Sequence, residues 1–308
     1  MGDEKLNVGN NSPREKFFSY IKQKGYSQNF VALQLGVSSP MISAYKQGNY
    51  TGDIEKLEKQ IVRWLADEER RNKRLTIPIL QLNIVDNVRT AINEAVDNRN
   101  ISVIVGDAGS GKTEAVRYYA AYSNAAVVVE VGPITSQRSL IREIAKQLNI
   151  AVSGPPDKMI EIISDELRGA GKVLVVDEAD RLDYIKLDML RRISDSAMCG
   201  LVLVGITKFG SQLLNQTADF DQIVSRVGIF LNVNEYRNEE NTKGDLKMIL
   251  DAIKIEYDEV VFDELYKKCK SIRKLCNTLV TSYEDMKRNN EKKLTLDAVN
   301  NALSLKLK

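Results

Sequence analysis

Short apolar runs rich in β-branched residues recur through the middle of the chain, separated by stretches whose apolar positions return every three or four residues. Ile101–Val105, Ala125–Val131, Val173–Asp177, Leu201–Gly205 and Val227–Val233 read as five strands. Helical periodicity fills the intervals near 136–149, 157–169, 184–198 and 208–226. Asn83–Asn98 sets Ile84, Val88, Ile92 and Val96 on one helical face ahead of the first strand. Continuously apolar strands alternating with helices predict an α/β fold, with a parallel sheet covered on both faces. From about Asn238 the periodicity is helical throughout, at 241–256, 259–269, 271–289 and 296–305, which predicts a separate helical lid.

Residues 1–12 are polar and predict a disordered tail. Pro13 to Lys24 reads as a short helix with Phe17, Phe18 and Ile21 on one face. Ser27 to Lys46 then has the layout of a helix-turn-helix. Ser27 caps the first helix, small Ala32 lets the two helices cross closely, Gly36 makes the turn, and Val37, Ile42 and Tyr45 form the inner face. Ser39 is the expected cap of the second helix, with Pro40 at its first position. Ser43, Lys46 and Gln47 are expected on its exposed side, where they would meet the groove or the phosphates of duplex DNA. The same layout suits a small bundle for protein contacts, because the second helix carries few base-reading side chains. Ile54, Leu57, Ile61, Trp64 and Leu65 recur at helical spacing and close this all-α module. The run Asp67–Arg74 is so charged that it reads as a solvated helix end and linker.

Between the first strand and the next helix lies Gly106-Asp107-Ala108-Gly109-Ser110-Gly111-Lys112-Thr113, a complete G-x-x-x-x-G-K-[ST]. At average glycine usage such a match arises by chance in roughly one chain of this length in a hundred. The strand before it and the helix after it, Glu114–Ala121, are the context the motif needs. The glycines let several backbone N–H groups face one anion at a helix N-terminus. Lys112 would reach the β- and γ-phosphates of ATP, and Thr113 would ligate Mg²⁺. Asp177-Glu178, closing the third strand, is a Walker B pair: Asp177 faces the Mg²⁺ shell and Glu178 orients and deprotonates the attacking water. Arg226, ahead of the fifth strand, and Arg273, opening a lid helix, are candidate cations for the charge developing on the γ-phosphate. In isolation, either would read as a surface salt bridge.

A chain of 308 residues exceeds one ordinary core and predicts two or three units. Hydrophobic content of 43% with 28% charged residues is that of a globular protein, and the net charge of +2 neither demands nor excludes nucleic acid. Zero histidines exclude imidazole catalysis and the usual zinc sites. Cys199, Cys269 and Cys276 lack metal-ligand spacing and make no disulfide framework, so each is expected to be a small buried residue in a reducing cytoplasm. No apolar run approaches the ~18 residues of a membrane span, and no signal-peptide core is read at the N-terminus. The expected location is therefore cytoplasmic, with no membrane partner.

Five strands, both Walker motifs, the two arginines and the helical lid together resemble the AAA+ ATPases. The order of helix-turn-helix, Trp-containing helix, charged linker and AAA+ module is similar, more narrowly, to the target-selecting ATPases of phage transposition. Ile61-Val-Arg-Trp-Leu65 and Gly200-Leu-Val-Leu-Val-Gly205 belong to that likeness. It divides the chain into a tail (1–12), a helix-turn-helix domain (13–66), a charged linker (67–81), an AAA+ P-loop core with a five-stranded parallel sheet (82–237) and a helical lid (238–308). The resemblance implies that Arg226 is an arginine finger offered to the neighbouring subunit's nucleotide and that Arg273 is the lid's second sensor. Just past the fourth strand, where the family usually places a polar residue, Thr207 would serve as the first sensor.

The same resemblance implies hydrolysis of ATP to ADP and phosphate, with Mg²⁺, by a homo-oligomer that forms a ring or a helical filament. It implies largely non-specific binding of double-stranded DNA, delivery of that DNA to a DDE-type transposase, and release on hydrolysis. One departure stands out: instead of a basic loop between the second and third strands, the chain has Ser153-Gly-Pro-Pro156 with Lys158 nearby. DNA contacts are therefore expected from Lys186, Arg191 and Arg192, or from Arg138 and Arg142. The densest basic run, with Lys267, Lys268 and Lys270, suits either DNA or a solvated lid face. A helicase loader, or a transcription regulator whose ATPase switches its helix-turn-helix, would carry the same motifs.

Overall fold

The computed structural model describes residues 12–73, 75–215 and 220–305. Apart from Ser12, the expected disordered tail lies outside the described residues. The chain divides into two compact units, the first ending at Leu75 and the second starting at Thr76.

The first unit is helical: α1 (Pro13–Lys24), α2 (Gln28–Leu35), α3 (Ser39–Gln47) and α4 (Ile54–Lys73). Ser12 and Glu15 start α1 with a reciprocal capping box, the Glu15 N–H donating to Ser12 Oγ at 3.3 Å and the Ser12 N–H to the Glu15 carboxylate at 3.2 Å. Phe17, Val31, Ile42 and Ile61 have no exposed surface, and Trp64 packs edge-on against Phe17 at 5.6 Å. The cap of α3 is Ser38, one residue earlier than expected. Pro40 does not resist the shift, because none of the first N–H groups of a helix has an intrahelical partner. The Ser39 hydroxyl donates instead to Asn29 Oδ1 on α2, at 2.6 Å. The helix α4 continues through the charged run as far as Lys73.

The second unit begins α5 (Asn83–Asn98), β1 (Ile101–Val105), α6 (Lys112–Tyr122), β2 (Ala126–Glu130), α7 (Gln137–Gln147) and α8 (Pro156–Leu167). It continues β3 (Val173–Asp177), α9 (Tyr184–Ala197), β4 (Gly200–Gly205), α10 (Thr207–Leu214), α11 (Asp221–Val224) and β5 (Val227–Asn232). The lid follows as α12 (Glu239–Ile253), β6 (Glu256–Tyr257), α13 (Glu259–Lys268), α14 (Ile272–Arg288), β7 (Lys293–Leu294) and α15 (Leu296–Ser304). The main sheet has five strands in the order β2-β3-β4-β1-β5, all parallel. Strands β1, β3 and β4 are buried at every position because helices cover both faces. Val103, Val105, Leu174, Val176, Leu201 and Leu203 pack with α7 to α10, while Ile104, Val173, Val175, Val202 and Val204 pack with α5 and α6.

One expectation needs correction and another needs filling out. The stretch 208–226 is not one helix: Asn215 closes α10, and Phe220, edge-on to Tyr184 at 5.6 Å, precedes the short α11. The buried face of α5 is Val85, Val88, Ala91, Ile92 and Ala95, with Ile84 and Val96 only partly covered. Two small alanines on that face let the helix lie close to the sheet. The pairing of β6 with β7 is two residues long, too short to leave a period in the sequence. Among the described residues no helix is long and apolar enough to cross a membrane.

Candidate nucleotide site

From β1 the chain crosses to β2 at one edge of the sheet, and from β4, next to β1, it crosses to β5 at the other. A crevice opens where the connections diverge, beyond the C-terminal ends of the strands. Gly106–Thr113 lies there, turning from β1 into α6. Gly109 and Gly111 have φ of 80° and 103°, values that residues with side chains rarely adopt. Each also touches the lid. A Cβ on Gly109 would lie 2.9 Å from the Arg273 Cβ, and one on Gly111 would lie 2.9 Å from Ile272 Cδ1. The Arg273 N–H donates to the Gly109 carbonyl at 3.1 Å, so α14 begins on the loop itself.

Gly111 gives α6 no side-chain cap. The first-turn N–H groups and the helix dipole therefore suit an anion. Lys112 is buried, and its Nζ donates to the Gly106 carbonyl at 2.7 Å, the Asp107 carbonyl at 3.0 Å and Ser110 Oγ at 3.2 Å. Burial pushes its pKa below the ordinary lysine value, while the charges of Asp177, Asp107, Asp180 and Glu178 act in the opposite direction. Bound phosphate oxygens would replace those three acceptors and add compensating charge.

A cavity of about 470 Å³ is lined by Gly109, Lys112, Thr113, Asp177, Glu178, Ile206 and Arg273, among others. Asp177 is buried and accepts the Glu178 N–H at 2.9 Å. Thr113 and Asp177 are hard oxygen donors on one cavity wall. That set fits Mg²⁺, which takes one or two protein oxygens and completes its shell with phosphate and water. Glu178 has a left-handed backbone, φ 60° and ψ 34°, and its carboxylate lies 3.1 Å from Arg181. Arg181 also donates to the Val131 carbonyl at 2.8 Å. Asp180 accepts the Ile206 N–H at 3.2 Å and so joins the ends of β3 and β4.

Of the expected site residues, Ala108, Gly109, Gly111, Lys112, Thr113, Asp177, Glu178 and Arg273 line this cavity, whereas Gly106, Asp107 and Ser110 do not line it and accept from Lys112 Nζ. Thr207 does not line this cavity; its hydroxyl donates to Asp107 Oδ1 at 3.1 Å and accepts from Asn234 Nδ2 at 3.4 Å. Asn234 Oδ1 in turn accepts the Asp107 N–H at 3.3 Å. Asn234 escaped sequence reasoning, and its one signal was a polar residue directly past the apolar fifth strand. Arg226 lies at the opposite end of the sheet. Its carbonyl accepts the Ile101 N–H at 2.9 Å, where β1 starts, and the phosphate loop begins where β1 ends. Five residues of strand separate the two, about 16 Å.

A second cavity of about 240 Å³ adjoins the first through Gly111, Glu114, Ile272 and Cys276. Ile77, Pro78, Leu80, Leu82 and Ile84 form its other wall, a mostly apolar slot of the kind a purine base fills. The sequence signal was present: Ile77-Pro78-Ile79-Leu80 is an apolar run within the supposed charged linker.

Several candidate DNA contacts are otherwise engaged. Lys186 pairs with Asp183, and its side chain is only 18% exposed. Arg191 is 13% exposed and paired to Asp188 at 2.7 Å and Asp195 at 2.6 Å. Spacings of three and four on α9 bring these opposite charges together, so Lys186 and Arg191 are not free cations. Arg192 pairs with Asp188 at 2.7 Å but remains 70% exposed. In the first unit Lys46 and Gln47 are exposed, whereas Ser43 is half-buried rather than exposed. Lys267, Lys268 and Lys270 are exposed at the end of α13.

Residues 94–213 match the AAA domain family. The chain is 28% identical over 260 residues, 81% of its length and 80% of the relative's, to the ATP-dependent target DNA activator B of Escherichia phage Mu. It is 25% identical over 252 residues, 79% of its length and 86% of the relative's, to the Mu-like prophage FluMu DNA transposition protein B of Haemophilus influenzae. Among solved structures, Cdc6p from Pyrobaculum aerophilum aligns with TM-score 0.58 at 17% identity, over 74% of this chain and 68% of that one. The RuvB Holliday junction branch migration motor of Thermotoga maritima aligns with TM-score 0.50 at 16% identity, over 73% of this chain and 69% of that one. The loop after β1, the acidic end of β3, the helical segment that starts on that loop and these likenesses agree: residues 94–213 match the AAA domain family, the second unit has the fold of the AAA+ structures, and the chain resembles the B transposition protein of phage Mu.

Proposed function

We propose that this chain selects target DNA for transposition, hydrolysing ATP to ADP and phosphate as an oligomer on double-stranded DNA that it hands to a DDE-type transposase. The observation that carries the ATPase part is that Lys112, Thr113, Asp177, Glu178 and Arg273 line one cavity. What supports the transposition part is the similarity to phage and prophage transposition proteins over about four fifths of the chain.

Lys112 and the first-turn N–H groups of α6 bind the β- and γ-phosphates. Thr113 and Asp177 hold Mg²⁺, which when bound neutralises charge on those phosphates. Glu178 orients a water against the γ-phosphorus and takes its proton as the bond to the β,γ-bridging oxygen breaks. Arg273 reaches the γ-phosphate from the lid. Arg226, at the far end of the sheet from its own phosphate loop, serves the nucleotide of a neighbouring subunit. Lys46 and Gln47, with Lys267, Lys268 and Lys270, touch the DNA backbone. Each contact is weak, and assembly multiplies them into avidity.

The test is fluorescence anisotropy on several unrelated duplexes with ATP and with ADP. Tight binding is expected only with ATP, with little sequence preference, and is lost in Arg226→Ala. Nucleotide-independent binding to one preferred sequence would overturn this function and favour a transcription regulator.

A further inference from the structure

Asp195 stands in the last turn of α9 and faces the segment between α11 and β5. Its Oδ1 lies 2.9 Å from Arg226 Nη1, and its Oδ2 lies 2.6 Å from Arg191 Nη1. Arg191 also donates to Asp188 from Nε at 2.9 Å and from Nη2 at 2.7 Å, and to Gln222 on α11 at 3.3 Å. The chain of charges therefore runs Arg192, Asp188, Arg191, Asp195, Arg226. Exposure rises from 13% at the Arg191 side chain through 32% at Asp195 to 55% at Arg226. Asp188 and Arg191 are held in the protein, and the chain emerges from it at Arg226, as it does at Arg192 on the other side.

We propose that Asp195 is a positioning residue for hydrolysis, holding the Arg226 guanidinium by one edge in the geometry with which it meets a neighbouring subunit's nucleotide. This rests on the reading of Arg226 as a residue that acts on the next subunit. The main chain of Arg226 is already fixed, its N–H bonded to the Ile223 carbonyl at 3.0 Å and its carbonyl to the Ile101 N–H at 2.9 Å. The remaining freedom is in the long side chain, and a rotamer-rich arginine loses much of it on docking. Asp195 restricts that freedom beforehand, through an ion pair at Nη1 alone, and leaves the other guanidinium nitrogens for an anion.

Charge decides whether such a brace defeats its purpose. A lone aspartate would cancel the arginine it holds. Here Asp195 is shared with Arg191, so Arg191, Asp195 and Arg226 together keep a net positive charge. Extending the count to Asp188 and Arg192 leaves the same sign, three cations against two anions. The brace orients Arg226 without neutralising the face it presents.

Steady-state ATPase assays of the full chain with duplex DNA test this. Asp195→Ala is expected to lower kcat by roughly tenfold or more, in the range that lost preorganisation produces, while binding of a fluorescent ATP analogue is unchanged. Asp195→Asn, which keeps the shape, is expected to fall between the two, and its melting curve controls for folding. Mixed oligomers separate positioning from a structural effect. Asp195→Ala mixed with Lys112→Ala is expected to recover activity, because one interface joins an intact loop to an intact brace. Asp195→Ala mixed with Arg226→Ala is expected not to recover, because no subunit offers a correctly held arginine. Recovery in that second mixture, or an unchanged kcat in Asp195→Ala, would overturn the proposal. Arg226→Ala mixed with Lys112→Ala is the control: failure to recover there overturns the action of Arg226 on its neighbour, and the role of Asp195 with it.

Discussion

The Arg181 guanidinium holds the Glu178 carboxylate at 3.1 Å while donating to the Val131 carbonyl at the end of β2, at 2.8 Å. Glu178 is thereby tied to the end of the strand next to its own, and in the proposed mechanism that tie would compete with its orienting a water. The pair is more than a third exposed on both sides, so its worth is limited to about 1 kcal/mol. Arg181→Ala should accordingly raise DNA-free ATP turnover by a few fold at most, with ATP affinity unchanged. Phosphate release measured without DNA checks this, and turnover below wild type would mean that Arg181 assists hydrolysis.

Lys112→Ala and Glu178→Gln should separate binding from chemistry. Removing the Lys112 ammonium takes away the partner of the β,γ-charge, so nucleotide affinity falls. Glu178→Gln leaves the phosphate contacts intact but cannot accept the proton, so turnover falls by about 10² or more while ATP stays bound. Equal ATP affinity in wild type and Lys112→Ala would refute the phosphate assignment.

The apolar slot beside Gly111 predicts a different phenotype. Leu80→Glu places a carboxylate where a base would stack and would force that charge to be desolvated. ATP and ADP affinities should both weaken, by about tenfold or more, with kcat at saturating ATP little altered. Equilibrium titration with fluorescent ATP and ADP reads the effect, and loss of ATP affinity alone would place the base elsewhere.

Asp188 predicts an acid-sensitive component of stability. Burial raises its pKa, but the hydrogen bond and charge of Arg191, then the charge of Arg192, outweigh burial and hold it below the usual carboxylate value. A carboxylate whose folded pKa is depressed contributes stability above its unfolded pKa, near ~4, and loses it as pH falls through the folded value. Asp188→Ala should cost about 2–3 kcal/mol at neutral pH, less than for a fully buried pair because Asp195 still holds Arg191. The variant's melting temperature should also fall less steeply in acid. Thermal melts from about pH 3 to 7 measure both slopes, and parallel curves would leave Asp188 without this role.

Much of this site was legible because its chemistry is local in sequence. A loop of eight residues after an apolar strand carries Lys112 and Thr113, and two acids at the end of another strand carry Asp177 and Glu178. What was not legible depends on residues meeting across the fold. Asn234 bridges Asp107 and Thr207 from the far side of β1, and its one mark in the sequence, a polar residue just past an apolar strand, does not say what it meets. Ile77 and Leu80 sat in a segment whose charged flank suggested a linker, yet they line the slot that opens onto Gly111. Lys186 and Arg191 read as free cations because a composition count cannot see that Asp183, Asp188 and Asp195 lie one helical turn away. Conversely, the hydrophobic period of α5 was plain, and Ile84, Val88, Ile92 and Val96 all pack on its core side, but the buried Ala91 and Ala95 beside them carry little weight in any apolar pattern.

These ion pairs sort the basic residues into two classes that salt dependence can distinguish. Each phosphate neutralised by a free cation releases counterions, so the logarithm of affinity falls by about 0.9 for every tenfold rise in salt per contact. Lys267 and Lys268 are exposed in the last turn of α13, whereas Lys186 is held by Asp183 and mostly covered. Lys267→Ala and Lys268→Ala should therefore each weaken ATP-dependent duplex binding and reduce the salt slope by about 1 per subunit contact, uniformly across sequences. Lys186→Ala should leave the slope unchanged, because its charge is already balanced within the chain. Anisotropy titrations at four or five salt concentrations compare the three variants directly. An unchanged slope in both lid variants would mean that the basic face of α13 is solvated and that the DNA lies against another surface.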